Sequence, residues 1–334
     1  MATIKDVAKA SGVCPATVSQ VLNNGSRPVR PETRERVLRL ARELNYRPNA
    51  VARGLVKKRM NTIGLVVVHS SLPSHTNPFL TTILDGILAV NTRLKQNTTL
   101  CTIDTWEQIT EHMPELTDGR CDGVLVIVPP VDCVLSTYLL EKRMPFVLVN
   151  AQEAQHQVSS VDVDNADAAF RMTEYLLGLG HRRIAFVYEP NESGFAFVQD
   201  RKEGYERALK SGGEYRAELS GISMEEFLGL DLALPYRPTA VFCAYDALAL
   251  NIIVRLQERG ISVPGEVSVV GFDDIPSISM GLPGLTTVRQ PMAAIGEMAA
   301  DMLQQIIVGA EPPGRREIIP TELVIRQSAA PPRV

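Results

Sequence analysis

The 334-residue chain has five cysteines and five histidines, and neither set is grouped. Cys14, Cys101, Cys121, Cys133 and Cys243 form no C-x-x-C pair and are odd in number. Reduced thiols in a cytoplasmic protein fit that usage better than a disulfide framework. The scattered histidines leave no metal constellation, so neither a metal nor a cofactor is expected. Catalytic signatures are missing as well. There is no G-x-S-x-G elbow and no P-loop, and the glycines at Gly178 and Gly180 lack the third member of a dinucleotide fingerprint. No nucleophile–base arrangement stands out, which speaks against an enzyme. No apolar stretch is long enough to span a bilayer, and the N-terminus carries no apolar signal segment. These two absences argue against a membrane protein and against an exported binding protein.

Charge, by contrast, is unevenly placed. Residues 1–60 hold thirteen Lys/Arg and four Asp/Glu, while the remaining 274 hold 21 basic and 34 acidic side chains. A small basic module on a large acidic body points to a polyanion at one end, and phosphate-rich nucleic acid is the common one. Within the module, Ile4, Val7 and Ala8 share a helical face, and Gly12 supplies a tight turn. A second helix begins near Pro15, a good first-turn residue, and buries Val18, Val21 and Leu22. Two short helices around a glycine turn predict a helix-turn-helix, whose second helix enters the major groove. A third helix is predicted over 31–45, with Val37, Leu40, Ala41 and Leu44 inward and Arg34, Arg36, Arg39 and Arg42 outward. Taken alone, the pattern also suits a plain three-helix bundle with a solvated basic face.

The acidic body carries continuous apolar runs at 63–68, 123–128, 146–149, 184–188, 240–242 and 267–270. Runs that do not alternate mark strands buried on both faces, hence parallel sheets covered by helices. At 274 residues the body exceeds one comfortable core, so two α/β lobes are expected. In open parallel sheets, ligands sit beyond the carboxyl ends of the strands. Those ends carry His69, Pro129, Asn150, Glu189, Tyr245 and Asp273; His69 and Glu189 read as solvated loop residues.

The wording of the chain adds a family. Ala2-Thr-Ile-Lys-Asp-Val-Ala-Lys-Ala-Ser-Gly-Val13, Ala16-Thr-Val-Ser19 and Val21-Leu-Asn23 resemble the opening of the lac repressor/galactose repressor family. Leu44-Asn-Tyr-Arg-Pro-Asn49 and Ala50-Val-Ala-Arg53 with Leu55 resemble its third helix and hinge. Further matches follow in order: Cys121-Asp-Gly-Val-Leu125, Gly180-His-Arg-Arg-Ile-Ala185, Pro238-Thr-Ala-Val-Phe242, Gly271-Phe-Asp-Asp274 and Leu285-Thr-Thr-Val-Arg-Gln-Pro291. The resemblance implies an α/β chain with an all-α helix-turn-helix domain at 1–47 and a hinge at 48–60. It implies a bilobal effector and dimerisation domain like periplasmic sugar-binding proteins at 61–334. The first lobe would hold about 61–160 and 290–320, the second about 161–289 and 321–330.

On the DNA side, the resemblance places Pro15, Ala16 and Gln20 at base-reading positions. Glutamine pairs bidentately with adenine, and an alanine methyl packs on thymine. Thr17 and Ser19 would meet phosphate, which positions without specifying. Thr3, Cys14 and Asn23 complete this face, although a thiol is a poor N-cap acceptor. The hinge would fold as a helix on DNA, with Leu55 wedged into a minor-groove step and Ala52, Arg53 and Lys57 beside it.

For the effector, Arg201 matches the family's ligand-binding arginine, opening a helix at 201–205, and Asp273 matches its acidic partner. An arginine fork facing a carboxylate suits a vicinal diol. Phe79 corresponds to the first-lobe aromatic, and Asn150 and Tyr245 end strands at the cleft. Tyr245 stands where sugar-responsive members carry Asn. No aromatic between 211 and 237 matches the one that stacks on ligand; Phe227 is a candidate, and Phe195 or Phe197, from the loop before Arg201, would serve as an apolar wall instead. A sugar or sugar-like effector is expected, with a flatter molecule left open. The C-terminal tail, rich in alanine and proline, has no heptad, so a homodimer on a palindromic operator is expected and no tetramer. The function implied is a transcriptional repressor of a sugar-utilisation operon. An exported-type binding protein and a two-lobed α/β enzyme with a basic appendage are the rivals.

Overall fold

The computed structural model describes residues 2–23, 27–47, 54, 59–68, 78–152, 158–212, 214–231, 237–279 and 283–333. The chain divides into two compact units, Met1–Asn61 and Thr62–Val334.

The small unit holds α1 (Ile4–Ser11), α2 (Pro15–Leu22) and α3 (Pro31–Glu43). Gly12 ends α1 in the left-handed conformation at φ 65°, where glycine carries no side-chain penalty. Val7, Ala8, Val18, Val21, Val37 and Ala41 form the core. Leu44, expected inside, is 38% exposed because α3 stops one residue before it.

The large unit contains β1 (Thr62–Val68), α4 (Pro78–Arg93), β2 (Asn97–Ile103), α5 (Ile109–Leu116), β3 (Gly123–Ile127), α6 (Val134–Glu141), β4 (Phe146–Val149) and β5 (Ser159–Val163). There follow α7 (Asn165–Gly178), β6 (Ile184–Val187), α8 (Ala196–Gly212), β7 (Ser220–Ile222), α9 (Met224–Gly229), β8 (Ala240–Cys243), α10 (Asp246–Glu258) and β9 (Ser268–Val270). Last come α11 (Pro276–Ser279), β10 (Thr287–Arg289), α12 (Met292–Ile307), β11 (Arg316–Ile319) and β12 (Glu322–Val324).

Two parallel sheets result. The first has the order β11-β5-β4-β3-β1-β2, the second β7-β6-β8-β9, and β10 pairs antiparallel with β12. Alternate residues of one strand feed opposite cores, which is why the runs do not alternate in polarity. Leu65 and Val67 pack with Ile83 and Ile87 of α4 and Ile295 of α12. Val66 packs on the other side with Ile109, Met113 and Leu139.

Glycines set two helix–helix distances. A methyl on Gly86 would collide with the Ala293 carbonyl, and one on Gly296 with the Ile83 carbonyl, so α4 and α12 meet backbone to backbone. Gly204 of α8 approaches Ala166 of α7 in the same manner.

The chain passes between the sheets after β5, before α12 and between β11 and β12. The first sheet runs to Val163, past the boundary expected near 160. Its last residues give no apolar run because Ser159, Ser160 and Asp162 are polar yet buried. Helix α8 also starts five residues before Arg201, so Phe197 belongs to a helix and not to a loop.

Candidate functional site

In the small unit, Cys14, Pro15 and Ala16 are exposed at the start of α2, with Thr17, Ser19 and Gln20 half-buried on the following turn. The polar groups are held locally. Cys14 Sγ lies 3.2 Å from Thr17 Oγ1, Asn23 Nδ2 donates to Ser19 Oγ at 3.1 Å, and Gln20 Nε2 donates to the Arg27 carbonyl at 3.1 Å. Hydrogen bonding from Thr17 holds the Cys14 thiol below its ordinary value. As expected of a thiol, Cys14 makes no side-chain cap. Thr3 donates its hydroxyl to Asp6 Oδ2 at 2.8 Å at the start of α1. The hinge residues Ala52, Arg53, Leu55 and Lys57 lie outside the described residues, as does His69.

In the large unit, a cavity of about 670 Å³ opens at the carboxyl ends of both sheets. Phe79, Asn150, Phe195, Arg201, Tyr245 and Asp273 all line it. Its rim holds backbone in the left-handed region at Val128 (φ 48°), Asn150 (φ 52°) and Asp273 (φ 126°). A β-branched valine there is a strained residue, of the kind that clusters at ligand sites.

Each polar side chain has a defined support. Asp164 caps α7 by accepting from Asp167 N at 2.8 Å, which fixes Asn165 in the first turn. Asn165 Oδ1 accepts from Arg201 Nε at 2.9 Å, and the Ala244 carbonyl accepts from Arg201 Nη1. The guanidinium lies 3.5 Å from the Phe272 ring centroid and 4.9 Å from that of Phe197. Its Nη2 stands 3.9 Å from Asp273 Oδ1, both groups being buried. Of the five guanidinium N–H groups, one on Nε and one on Nη1 are engaged by the protein, which leaves the second on Nη1 and both on Nη2. Asp273 Oδ1 instead accepts from Gln290 Nε2 at 2.7 Å.

Burial dominates the electrostatics. It raises Asp246, to which the nearby Asp273 charge adds, and it raises Asp273 against the pull of Arg201. It raises Asp162 to about 6. Burial lowers Arg201, opposed first by Asp273. Burial raises the Tyr245 hydroxyl and the Glu192 carboxyl, and the Glu192 charge adds to the rise at Tyr245.

Four further residues line the cavity without any sequence motif to mark them: Trp106, Asp104, Glu107 and Glu192. Trp106 is the single tryptophan and follows β2, a strand too polar to read as one; Glu192 lies three residues past the flagged Glu189. Asp274 turns away from the cavity and pairs with Arg289 Nε and Arg326 Nη2, each at 2.7 Å, so the Asp-Asp doublet faces both ligand site and connecting strands. Phe227 is fully buried in the second-lobe core with Val187, Val241 and Leu248, and does not reach the cavity. It projects from α9 into the core cluster that holds Leu248, Ile252 and Leu256 of α10. Phe195 takes the wall position, packing across onto the first-lobe cluster.

A helix-turn-helix unit and a two-lobed parallel-sheet domain with a cavity at its strand ends define a ligand-binding transcriptional regulator. Residues 3–49 match bacterial regulatory proteins of the lacI family, and residues 173–329 the periplasmic binding protein-like domain. The chain is 32% identical to the HTH-type transcriptional repressor PurR of Vibrio campbellii, covering 98% of each protein. It is 36% identical to catabolite control protein A of Priestia megaterium, over 90% of this chain and 91% of that one. Among solved structures, the lac repressor dimer bound to operator and the anti-inducer ONPF matches with a TM-score of 0.81 at 26% identity, covering 98% of this chain and 99% of the other. The transcriptional regulator CelR in complex with cellobiose matches with a TM-score of 0.73 at 30% identity, covering 98% and 100%. The chain belongs to the lacI family: it is a DNA-binding transcriptional repressor with an effector-binding domain, and not an enzyme. Among the described residues, no helix is long and apolar enough to cross a membrane.

Proposed function

We propose that this chain is a cytoplasmic repressor of a sugar-utilisation operon, binding a palindromic operator as a homodimer, with its affinity set by a small molecule in the cavity. Residues 1–47 would read DNA through the exposed face of α2, residues 48–60 would form the hinge, and residues 61–334 would bind effector and dimerise. The observation that carries the reading is the convergence of Phe79, Asn150, Phe195, Arg201, Tyr245 and Asp273 on one cavity. Strand carboxyl ends are where open α/β sheets hold ligands, and polar groups above aromatic walls suit a sugar ring. The likeness to a regulator solved with cellobiose supports the same class. The palindrome follows from two-fold symmetry of the protein on DNA.

Selection from a randomised duplex pool, followed by anisotropy with the selected site at fixed salt, tests this reading. Inverted repeats should emerge, and at least one sugar-like compound should change the affinity. A single unrepeated site argues against the dimer, and indifference to every such compound argues against the effector class.

A further inference from the structure

Trp106, the one tryptophan of the chain, stands in a short helical turn directly after β2. That turn is braced at both ends: Gln108 N donates to the Thr105 carbonyl at 3.2 Å, and Ile109 N donates to the Trp106 carbonyl as α5 begins. The ring packs into the first-lobe cluster with Ile103, Ile109 and Met113, and Phe195 of the second lobe packs against the same cluster. Only 9% of the residue is exposed, and it lines the cavity. An indole fixed in this way meets a ligand at little cost in conformational entropy.

A second, independent observation concerns its N–H. The indole nitrogen of a buried tryptophan ordinarily finds an acceptor, because a sealed and unpaired donor is costly. Among the described residues nothing accepts from Trp106 Nε1, and this N–H is not among the polar atoms sealed from solvent without a partner. It is an open donor on a side chain nine-tenths buried, and the open edge of that side chain belongs to the cavity. The second lobe contributes donors as well, since Arg201 keeps the second N–H of Nη1 and both of Nη2. Phe227 lies in the second-lobe core, so the indole is the largest ring that the cavity offers.

We infer that Trp106 is an effector-contacting residue that sets specificity: its indole N–H donates to an oxygen of a hydroxyl-bearing ligand that Arg201 holds from the other lobe. A ligand with an apolar group or another donor at that place strips the N–H of solvent and returns no acceptor, and it is rejected for that reason. The inference rests on the cavity being the effector site for a sugar-like molecule.

Because the chain has one tryptophan, the isotope-labelled full-length protein gives a single indole N–H resonance. In the free protein that proton should exchange with deuterium within minutes; retention for hours shows a sealed N–H and overturns the inference before any ligand is added. Glucose and maltose are then titrated, with affinity read by calorimetry and the indole resonance followed in parallel. Whichever sugar binds should move the indole proton downfield in step with saturation. Trp106→Phe, which keeps an aromatic ring and removes the N–H, should weaken that sugar by about tenfold. A resonance that stays in place at saturation, or an affinity unchanged in a folded Trp106→Phe protein, overturns the inference. The resonance alone decides if the variant does not fold, since it is read on wild type. Tyr245→Phe changes a different lining residue and reports location. Binding that responds to Tyr245→Phe but to neither Trp106 readout keeps the cavity and sinks the tryptophan contact. Binding that responds to none of these places the sugar elsewhere, and the cavity reading falls. Failure of both sugars to bind at millimolar concentration removes the sugar-like class, and the hydroxyl partner proposed for Trp106 goes with it.

Discussion

Gln290 donates from its side-chain amide to Asp273 at 2.7 Å, and its own amide oxygen accepts from Asn150 at 3.2 Å. Asn150 ends β4 in the first sheet, Asp273 follows β9 in the second, and Gln290 lies on the connection into α12. All three are buried. One amide thus joins the two lobes beneath the cavity. Gln290→Ala should cost about 2 kcal/mol or more, because two buried polar groups lose their partner at once. Urea unfolding measures this; a loss below about 0.5 kcal/mol, the scale of an ordinary surface change, would mean that water replaces the amide.

The family resemblance alone makes Arg201 a residue whose removal costs only the effector response. The structure predicts otherwise. Asp273, Asp162 and Asp246 all interact with its buried charge, so Arg201→Ala leaves buried carboxylates uncompensated and should destabilise the large unit by about 3–5 kcal/mol. Tyr245→Phe is the better probe of the cavity, since it keeps the ring and removes only the hydroxyl. It should fold normally and change which probe binds. Calorimetric melting of both variants decides; an Arg201→Ala protein as stable as wild type would show that the guanidinium is dispensable to the fold.

Stability should depend on pH through two buried groups of opposite sign. Burial raises Asp162 from 3.8 to about 6, so its ionised form costs stability above pH 6, and that cost fades as pH falls toward 3.8. His181 is lowered by burial between Thr239 and the Ala330 carbonyl, so the stability of its neutral form is present above 6.5 and is lost as pH falls. Asp162→Asn should therefore stabilise the protein near neutral pH by up to about 3 kcal/mol and do little at roughly pH 4. Absence of a gain at neutral pH would show that attraction to Arg201 outweighs burial.

On the DNA face, Gln20 must release the Arg27 carbonyl before its amide can pair with a base. If it does so, Gln20→Ala should cost about 1–3 kcal/mol at one symmetric pair of operator positions and little elsewhere. An equal loss across all operator sequences, measured by anisotropy on single-base variants, would assign the side chain to phosphate.

The strands with both faces covered were legible in the sequence, because a short continuous apolar run bounded by turns seldom arises except where both faces of a strand are buried. Helices α1 to α3 were legible from their stripes and their Pro15 and Pro31 starts. What failed was local polarity under tertiary control. β2 is an edge strand whose residues are mostly partly exposed, and it needs no apolar run. β5 buries Ser159, Ser160 and Asp162 because distant groups satisfy them: Ser159 Oγ accepts from Gly314 N at 2.9 Å. Cavity membership was legible where a motif ended a strand, as at Asp273. It was not legible for Trp106, which enters the cavity from beyond an unseen strand, nor for Phe227, whose burial depends on how α9 seats on α10.

The approach of Phe195 to the first lobe has a kinetic meaning. Beside it, Val131 N–H donates to the Gly194 carbonyl at 2.9 Å, so backbone and ring together span the entrance from opposite lobes. A molecule leaving the cavity on this side must wait for that one hydrogen bond and that one apolar contact to break. Departure on this side thereby depends on Val131, Gly194 and Phe195, none of which belongs to the polar recognition set. Substitution at Phe195 would then change how long a bound molecule stays as well as the apolar wall it meets.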